Sequence, residues 1–422
     1  MLSQRLMVSN KKVYFKTFGC RTNIYDTQVM MEHLKDFDIV KDEESADIIV
    51  VNSCTVTNSA DNRAKSYVSR VSNLGKRVIF AGCGAISKGE KLFNEGKVFG
   101  VFGHSQKEEI NSLLKKEEKF VQIGDLKSIE KSIVYDFEGK NRAFIKIQEG
   151  CDFKCSYCII PSVRGKARSL DEEKILEQIR VLTLRDYSEF ILTGTNIGSY
   201  GKDTGSSLGK LLKRISLIRG VKRVRLGSIE PSQIDDEFWE IVDEEWLEKH
   251  LHIALQHTNE EMLKIMHRRN SFKSDEKLFD KLSSKGFAIG TDFIVGHPGE
   301  TKERFEDGYT KLKELPLTHI HCFTYSKRDG TASAFMSDTV SKEVAKKRHK
   351  MVTELIEEKN YNFRKRVNTP LFILVEESKD GYYTGLDQFY NRIKIKSDKD
   401  IEKEWIVIDQ FEAKKDANYA NY

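Results

Sequence analysis

No run of this chain is long and apolar enough to cross a membrane, which excludes an integral helical membrane protein. Its first residues, Met1-Leu-Ser-Gln-Arg, lack the apolar core of a secretory leader, so no export signal is expected. Cysteine is scarce: seven in 422 residues, too few and too dispersed for a disulfide scaffold. Charge of one sign is scarce too. Lys and Arg total 70 against 65 Asp and Glu, and the net +5 does not by itself announce nucleic acid. A chain this long buries ample core and is expected to hold two or three domains. Free thiols in such a chain need a reducing compartment, so the expectation is a cytoplasmic protein with no membrane partner.

What is present is concentrated. Three of the seven cysteines fall within the string Cys151-Asp-Phe-Lys-Cys155-Ser-Tyr157-Cys158. Three thiolates so close can grip one metal cluster. Iron–sulfur clusters are normally held by four cysteines, so three leave one iron open for a substrate. Zinc loops usually pair C-x2-C with a second ligand pair, and none follows here. The spacing resembles the signature of radical S-adenosylmethionine (SAM) enzymes, in which the open iron chelates the amino acid end of SAM.

Cys20, Cys54 and Cys83 each follow an apolar, strand-like run: Val13-Tyr-Phe, Asp47-Ile-Ile-Val-Val and Val78-Ile-Phe-Ala. In a parallel α/β sheet the carboxyl ends of strands share one edge, where ligands bind. Taken singly, each is a small buried hydrophobe. Taken together, their shared placement points to a second cluster site. Cys322, in His319-Ile-His-Cys-Phe-Thr-Tyr, has no partner cysteine and reads as core.

The periodicity predicts an α/β protein of three parts. An N-terminal parallel-sheet α/β domain spans 11–125, with helices over 26–36 and 59–74, and a charged linker follows at about 126–140. A partial (βα)6 barrel spans 137–366, since six strand–helix units fall short of the eight of a closed barrel. Its strands are predicted at 143–148, 190–193, 223–227, 252–255, 288–295 and 319–324. Its helices are predicted at 171–185, 208–218, 235–249, 260–266, 275–284 and 302–315. A basic helix over 341–366 leads to a small all-β domain, 367–422, whose last residues read as frayed.

With six cysteines so placed, the chain resembles the methylthiotransferases, radical SAM enzymes that insert a methylthio group into an unactivated C–H bond. Thr17-Phe-Gly-Cys20-Arg-Thr-Asn, Asn52-Ser-Cys54-Thr-Val-Thr-Asn and Ala81-Gly-Cys83 are similar to the family's auxiliary-cluster segments. Ile145-Lys-Ile-Gln-Glu-Gly-Cys151 through Cys158-Ile-Ile-Pro161 and Arg164-Gly165 are similar to its core motif. The resemblance implies a radical SAM core, a C-terminal RNA-binding domain of the TRAM type, SAM, and two [4Fe–4S] clusters. Cys151, Cys155 and Cys158 would hold the catalytic cluster, and Cys20, Cys54 and Cys83 the auxiliary one. It further implies reductive cleavage of SAM, hydrogen abstraction from an adenine C2, and sulfur supplied at the auxiliary site. Around Cys54-Thr-Val-Thr-Asn the chain looks most like the branch acting on N6-threonylcarbamoyladenosine at position 37 of tRNA. The implied partners are a tRNA anticodon stem-loop, an electron donor such as a flavodoxin or ferredoxin, and a sulfur source.

Further residues are expected at the SAM site from their places in the triplet and at strand ends. Tyr157 is expected near the SAM adenine, and Gly194 and Thr195 near its amino group, glycine permitting close backbone approach. Glu230 is expected to hold a ribose hydroxyl or the SAM amine, with Gln256 in a similar role. The chain departs from the family at Ala254-Leu-Gln-His-Thr258 and Gly296-His-Pro-Gly-Glu300, where His257 and His297 stand at strand ends. RNA contact is expected from Lys346-Lys-Arg-His-Lys350, Arg364-Lys-Arg366, Tyr382, Tyr383, Phe389, Tyr390 and Arg392. Rival readings are methylthiolation of isopentenyladenosine or of a ribosomal protein aspartate and, in another class, a non-catalytic RNA-binding iron–sulfur sensor.

Overall fold

The computed structural model describes residues 10–137 and 139–422. The chain forms two compact units. The first runs to Tyr135 and takes in Glu149–Cys151 and Ile159–Lys166; the second comprises Asp136–Gln148, Asp152–Cys158 and Ala167–Tyr422.

The first unit is built on a six-stranded sheet. Its strands are β1 (Lys12–Thr17), β2 (Asp38–Ile39), β3 (Ile48–Ser53), β4 (Arg77–Gly82), β5 (Gly100–Phe102) and β6 (Phe120–Gln122). The order is β2-β1-β3-β4-β5-β6, and every pairing is parallel. Successive side chains point to opposite faces, and the run Ile48-Ile-Val-Val shows it. Ile48 and Val50 pack with Ile79 and Phe102 on one face, while Ile49 and Val51 pack with Val78 and Phe80 on the other. A sheet covered on both faces explains why β3 is apolar without alternation. Helix Arg21–Glu32 starts earlier than its periodicity predicts: Thr22 and Asn23 in its first turn are buried, and Asn23 Nδ2 donates to Phe18 O and Ser53 O. Among its described residues, the charged stretch read as a linker carries no helix or strand but is pinned down. Glu130 is buried on Lys107, and Ser132 donates its backbone N–H to Glu108.

The second unit contains the barrel strands β7 (Ala143–Lys146), β8 (Glu189–Thr193), β9 (Arg223–Leu226), β10 (His250–His252), β11 (Ala288–Val295) and β12 (His319–Thr324). They form two parallel three-stranded sheets, β9-β8-β7 and β10-β11-β12. Parallel bridges Val224 to Leu247 and Ile229 to Ile253 join the sheets, giving the partial six-stranded barrel. One helix differs from expectation. Only Asp236–Trp239 is helical where 235–249 was predicted. Beyond it, Val224 N–H donates to Trp246 O and Glu248 N–H donates to Val224 O alongside β9, and the Glu248 carboxylate is buried on Arg225. Long-range pairing and a buried ion pair outweigh the local amphipathic pattern.

The last strands, β13 (Leu371–Lys379), β14 (Tyr382–Leu386), β15 (Arg392–Lys396), β16 (Trp405–Ile408), β17 (Glu412–Ala413) and β18 (Asn418–Asn421), form one sheet ordered β16-β13-β14-β15-β18-β17. The C-terminal residues are therefore not frayed: β18 pairs parallel to β15 and buries Asn418. This sheet docks on the barrel through buried arginines. Arg223 donates to Phe372 O at 2.8 Å, and Arg225 donates to Asp387 O at 2.8 Å while pairing with Glu189 and Glu248. Among the described residues, no helix is long and apolar enough to cross a membrane.

Candidate active site

In the first unit, β1, β3 and β4 are neighbours, and Cys20, Cys54 and Cys83 follow their carboxyl ends. The backbone brings them together. Gly19, at φ +110°, lies so near Cys54 that an added Cβ would fall 2.4 Å from the Cys54 Cβ. The thiols also feel one another. Burial pushes Cys54 up to about 12, and the neighbouring Cys83 and Cys20 add to the rise. Burial likewise raises Cys83, against the pull of Arg164.

Arg164, which ends the short helix Ile160–Arg164, is 1% exposed. Its Nε donates to Cys83 Sγ at 3.1 Å and its Nη2 to Asn23 Oδ1 at 2.7 Å. Nη1 reaches Glu149 at 2.7 Å and Asp26 at 2.9 Å. Burial works against the charge, but Cys83, Asp26 and Glu149 outweigh it and keep the guanidinium protonated. His104 stands 3.4 Å from Glu149, and burial pushes it down to about 3, so it stays neutral. Three soft thiol donors suit an iron–sulfur cluster. Two of them are buried where thiolates form only beside a compensating positive centre, which such a cluster and Arg164 supply. The residues fit the group.

The loop that carries the cysteine triplet is shaped by glycine. Gly150 has φ +75°, and a Cβ there would meet Lys166 O at 1.9 Å, so no other residue fits. Cys151 N–H donates to Gly165 O at 3.1 Å.

In the second unit, Cys158 N–H closes a turn onto Cys155 O at 3.1 Å, and Ser156 N–H donates to Met266 O at 3.0 Å. Ser156 Oγ lies 3.1 Å from His297 Nε2, whose Nδ1 lies 2.7 Å from Pro298 O. Burial pushes His297 down to about 4, so a neutral ring donates from Nδ1 and accepts from the serine. His297 thus braces the turn between Cys155 and Tyr157. The Tyr157 ring packs with Met262, Ile265, Met266 and Ile294 and meets His297 edge-on at 6.2 Å. Burial raises its phenol well above the ordinary value.

Glu230 pairs with Arg268, whose Nη2 is 2.8 Å from Oε2, and Nη1 of the same arginine lies 3.6 Å from Cys155 Sγ. Burial raises the Glu230 carboxyl against the pull of Arg268. Arg268 was not foreseen. The only signal was the basic pair Arg268-Arg269 just past helix Glu260–Ile265, where amphipathy gives it no role. Gly194 passes close to the backbone: an added Cβ would sit 2.8 Å from Gln148 O, and Thr195 follows half-exposed. Gln256 sits at φ +70°, a conformation costly for a non-glycine residue, and its Nε2 donates to Asp292 Oδ2 at 3.4 Å. His257 is fully buried, 3.3 Å from Glu300.

Several residues expected on RNA are occupied instead. Arg348 is buried on Glu300, and Arg364 bonds Asn360, Asn418 and Lys415 O. Phe389 is in the core of the C-terminal sheet, and Tyr390 stacks on His250. Lys346, Lys347, Lys350, Lys365, Arg366 and Arg392 remain exposed, with Tyr382 and Tyr383 half-buried. Cys322 is half-buried rather than core, because β12 leaves most of its side chains accessible; burial still pushes its thiol up to about 12.

Residues 145–312 match the Radical SAM superfamily, and residues 12–103 match a family described as Uncharacterized protein family UPF0004. A Helicobacter pylori protein bearing the name "Putative methylthiotransferase" is 55% identical over 97% of this chain and 99% of its own. The chain belongs to the methylthiotransferase family of radical SAM enzymes. Another member, the Aquifex aeolicus "Threonylcarbamoyladenosine tRNA methylthiotransferase MtaB", is 34% identical over 83% of this chain and 89% of its own. The "tRNA-2-methylthio-N(6)-dimethylallyladenosine synthase" of Halalkalibacterium halodurans is 31% identical over 88% of this chain and 73% of its own. Among solved structures, the radical SAM methyltransferase TsrM from Kitasatospora setae shares the fold, with a TM-score of 0.55 and 14% identity, each chain covered to 75%. As a methylthiotransferase of this family the chain is an enzyme that uses SAM and [4Fe–4S] clusters.

Proposed function

We propose that this enzyme methylthiolates N6-threonylcarbamoyladenosine at position 37 of tRNA. The convergence of Cys20, Cys54 and Cys83 at one sheet edge is the observation that carries the sulfur-inserting reading, because radical SAM cleavage alone needs only the triplet. The substrate branch is supported by Cys54-Thr-Val-Thr-Asn and by the name of the Aquifex relative.

With a [4Fe–4S] cluster bound, the triplet site supplies the reductive cleavage of SAM that opens an unactivated C–H bond. The chain's own residues prepare that site. Cys151, Cys155 and Cys158 hold the cluster, and His297 and Met266 fix the turn through Ser156. Tyr157, Gly194, Thr195, Glu230 and Gln256 would position SAM, with Arg268 holding Glu230 in place. At the second site, Cys20, Cys54 and Cys83 hold the auxiliary cluster, and Arg164 sets a positive charge against Cys83. Exposed Lys346, Lys350, Lys365 and Arg392 offer the phosphate-neutralising charge that an anticodon stem-loop requires. An electron donor such as a flavodoxin or ferredoxin and a source of sulfur complete the reaction in the cytoplasm.

The test compares tRNA nucleosides from cells with and without the gene. Loss of the 2-methylthio derivative of N6-threonylcarbamoyladenosine is the expected result. Loss of the isopentenyl derivative instead, or an unchanged nucleoside profile, overturns the assignment.

A further inference from the structure

Three side chains outside both cysteine sites stand together on one face of the barrel sheet. His252 ends β10, Asp292 lies within β11 and His321 lies within β12. The register accounts for it. His252 pairs with Gly290 and Asp292 pairs with His321, and residues two apart on a strand share a face. Gly290 keeps that face open, because a Cβ there would lie 3.0 Å from the His252 ring. One residue pair lower, His250 and His319 are closed over by Tyr390, which stacks on His250 at 4.9 Å. The His252 layer is not closed. The His321 side chain is 60% exposed, Asp292 20% and His252 10%.

We propose that His252, Asp292 and His321 form a mononuclear site for a divalent transition cation, Zn2+ or Fe2+ in character. Asp292 Oδ1 lies 3.0 Å from His252 Nε2 and 3.5 Å from His321 Nδ1, and all three ligand atoms fall within 4.8 Å of one another. Two ligand atoms about 2.1 Å from one cation lie roughly 3.0 Å apart at octahedral angles and 3.4 Å apart at tetrahedral ones. The two carboxylate–imidazole separations, 3.0 and 3.5 Å, are close to that range. Hydrogen bonding does not explain them equally well. His252 Nε2 is buried without an aligned hydrogen-bond partner, although a carboxylate oxygen is only 3.0 Å away. The His252 and His321 rings stack at 5.0 Å beside Asp292, and a ring nitrogen that close to a carboxylate, yet not pointing an N–H at it, can serve as a lone-pair donor to a cation.

The donor set narrows the ion. Two imidazoles and one carboxylate suit Zn2+ or Fe2+, whereas Mg2+ and Ca2+ favour oxygen ligands throughout. Asp292 is equipped for the role. Its second oxygen accepts from Gln256 Nε2 at 3.4 Å, the outer contact that orients a metal-binding carboxylate. Three protein ligands leave coordination positions on the exposed His321 side for water or an oxygen of a bound substrate.

The test uses the full-length enzyme with its cysteine sites filled by anaerobic reconstitution. It is equilibrated by dialysis against buffered Zn2+, and zinc, iron and sulfide are measured per chain. The expected result is about one zinc that His321→Ala and Asp292→Asn each lose while iron stays unchanged, with a nitrogen/oxygen shell at about 2.0–2.1 Å in zinc absorption spectra. His321 is largely exposed, so its removal spares the fold. Equal zinc in wild type and His321→Ala overturns the proposal. So does a shell of sulfur at about 2.3 Å, which would place the ion on cysteine.

Discussion

The guanidinium of Arg164 stands 3.1 Å from the sulfur of Cys83, with both groups buried. The same arginine holds Glu149, Asp26 and Asn23, so one cation organises the floor of the auxiliary site. Removing it takes the guanidinium away from two buried carboxylates, a change that costs about 3–5 kcal/mol. Arg164→Met should therefore lower the unfolding midpoint sharply and reduce iron retained on the N-terminal cysteines. Arg164→Lys keeps the charge but cannot fork to all four groups, and should fall between. A methionine variant with wild-type stability and iron content would show that the network is idle.

The two cysteine sets should be separable. In the Cys20/Cys54/Cys83 triple alanine variant, iron and sulfide should fall by about half while reductive SAM cleavage persists, as one four-iron cluster per proposed site requires. Unchanged iron would make the N-terminal cysteines structural.

Arg268 joins Glu230 to Cys155, so its loss should act on SAM before it acts on iron. Charge-assisted hydrogen bonds contribute about 1.5–3 kcal/mol. Arg268→Gln should thus weaken SAM binding by roughly 10–100-fold, read by titration of the reconstituted enzyme. If affinity is unchanged, Glu230 does not meet SAM.

Asp275 gives a pH dependence of known sign. Burial raises its carboxyl to about 7, though Asn270 donates to it at 2.6 Å, and Oδ1 has no partner. The folded state therefore keeps a proton that the unfolded chain releases near pH 4. Stability from this group is full below pH 4 and is lost as pH rises through 7. Between pH 5 and 8, Asp275→Asn should gain about 2–3 kcal/mol relative to wild type, measured by urea unfolding at both pH values. An equal difference at the two pH values would show that the carboxyl is not shifted.

Sequence pattern reached the sheets more readily than the contacts between them. The alternating strand and helix runs of the barrel and the cysteine positions were legible because periodicity and strand-end placement are local. The helix expected over 235–249 was not, because residues 246–248 are drawn beside β9 by Glu248 and Arg225, a pairing no local window contains. Arg348 and Arg364 are expected from sequence to meet RNA and are buried by partners far along the chain, Glu300 and Asn418. His297 read as a departure from family pattern and proved to brace Ser156. In each case the decisive partner was distant in sequence, which spacing cannot reveal.

The C-terminal sheet is gripped by arginines that donate to Phe372 O, Leu386 O and Asp387 O, which are main-chain atoms. Every residue type carries such a carbonyl, so these bonds recognise a path of backbone rather than a set of side chains. The outer surface of this small domain is thereby released from the work of attachment. Its exposed residues can diverge while the joint beneath them stays the same.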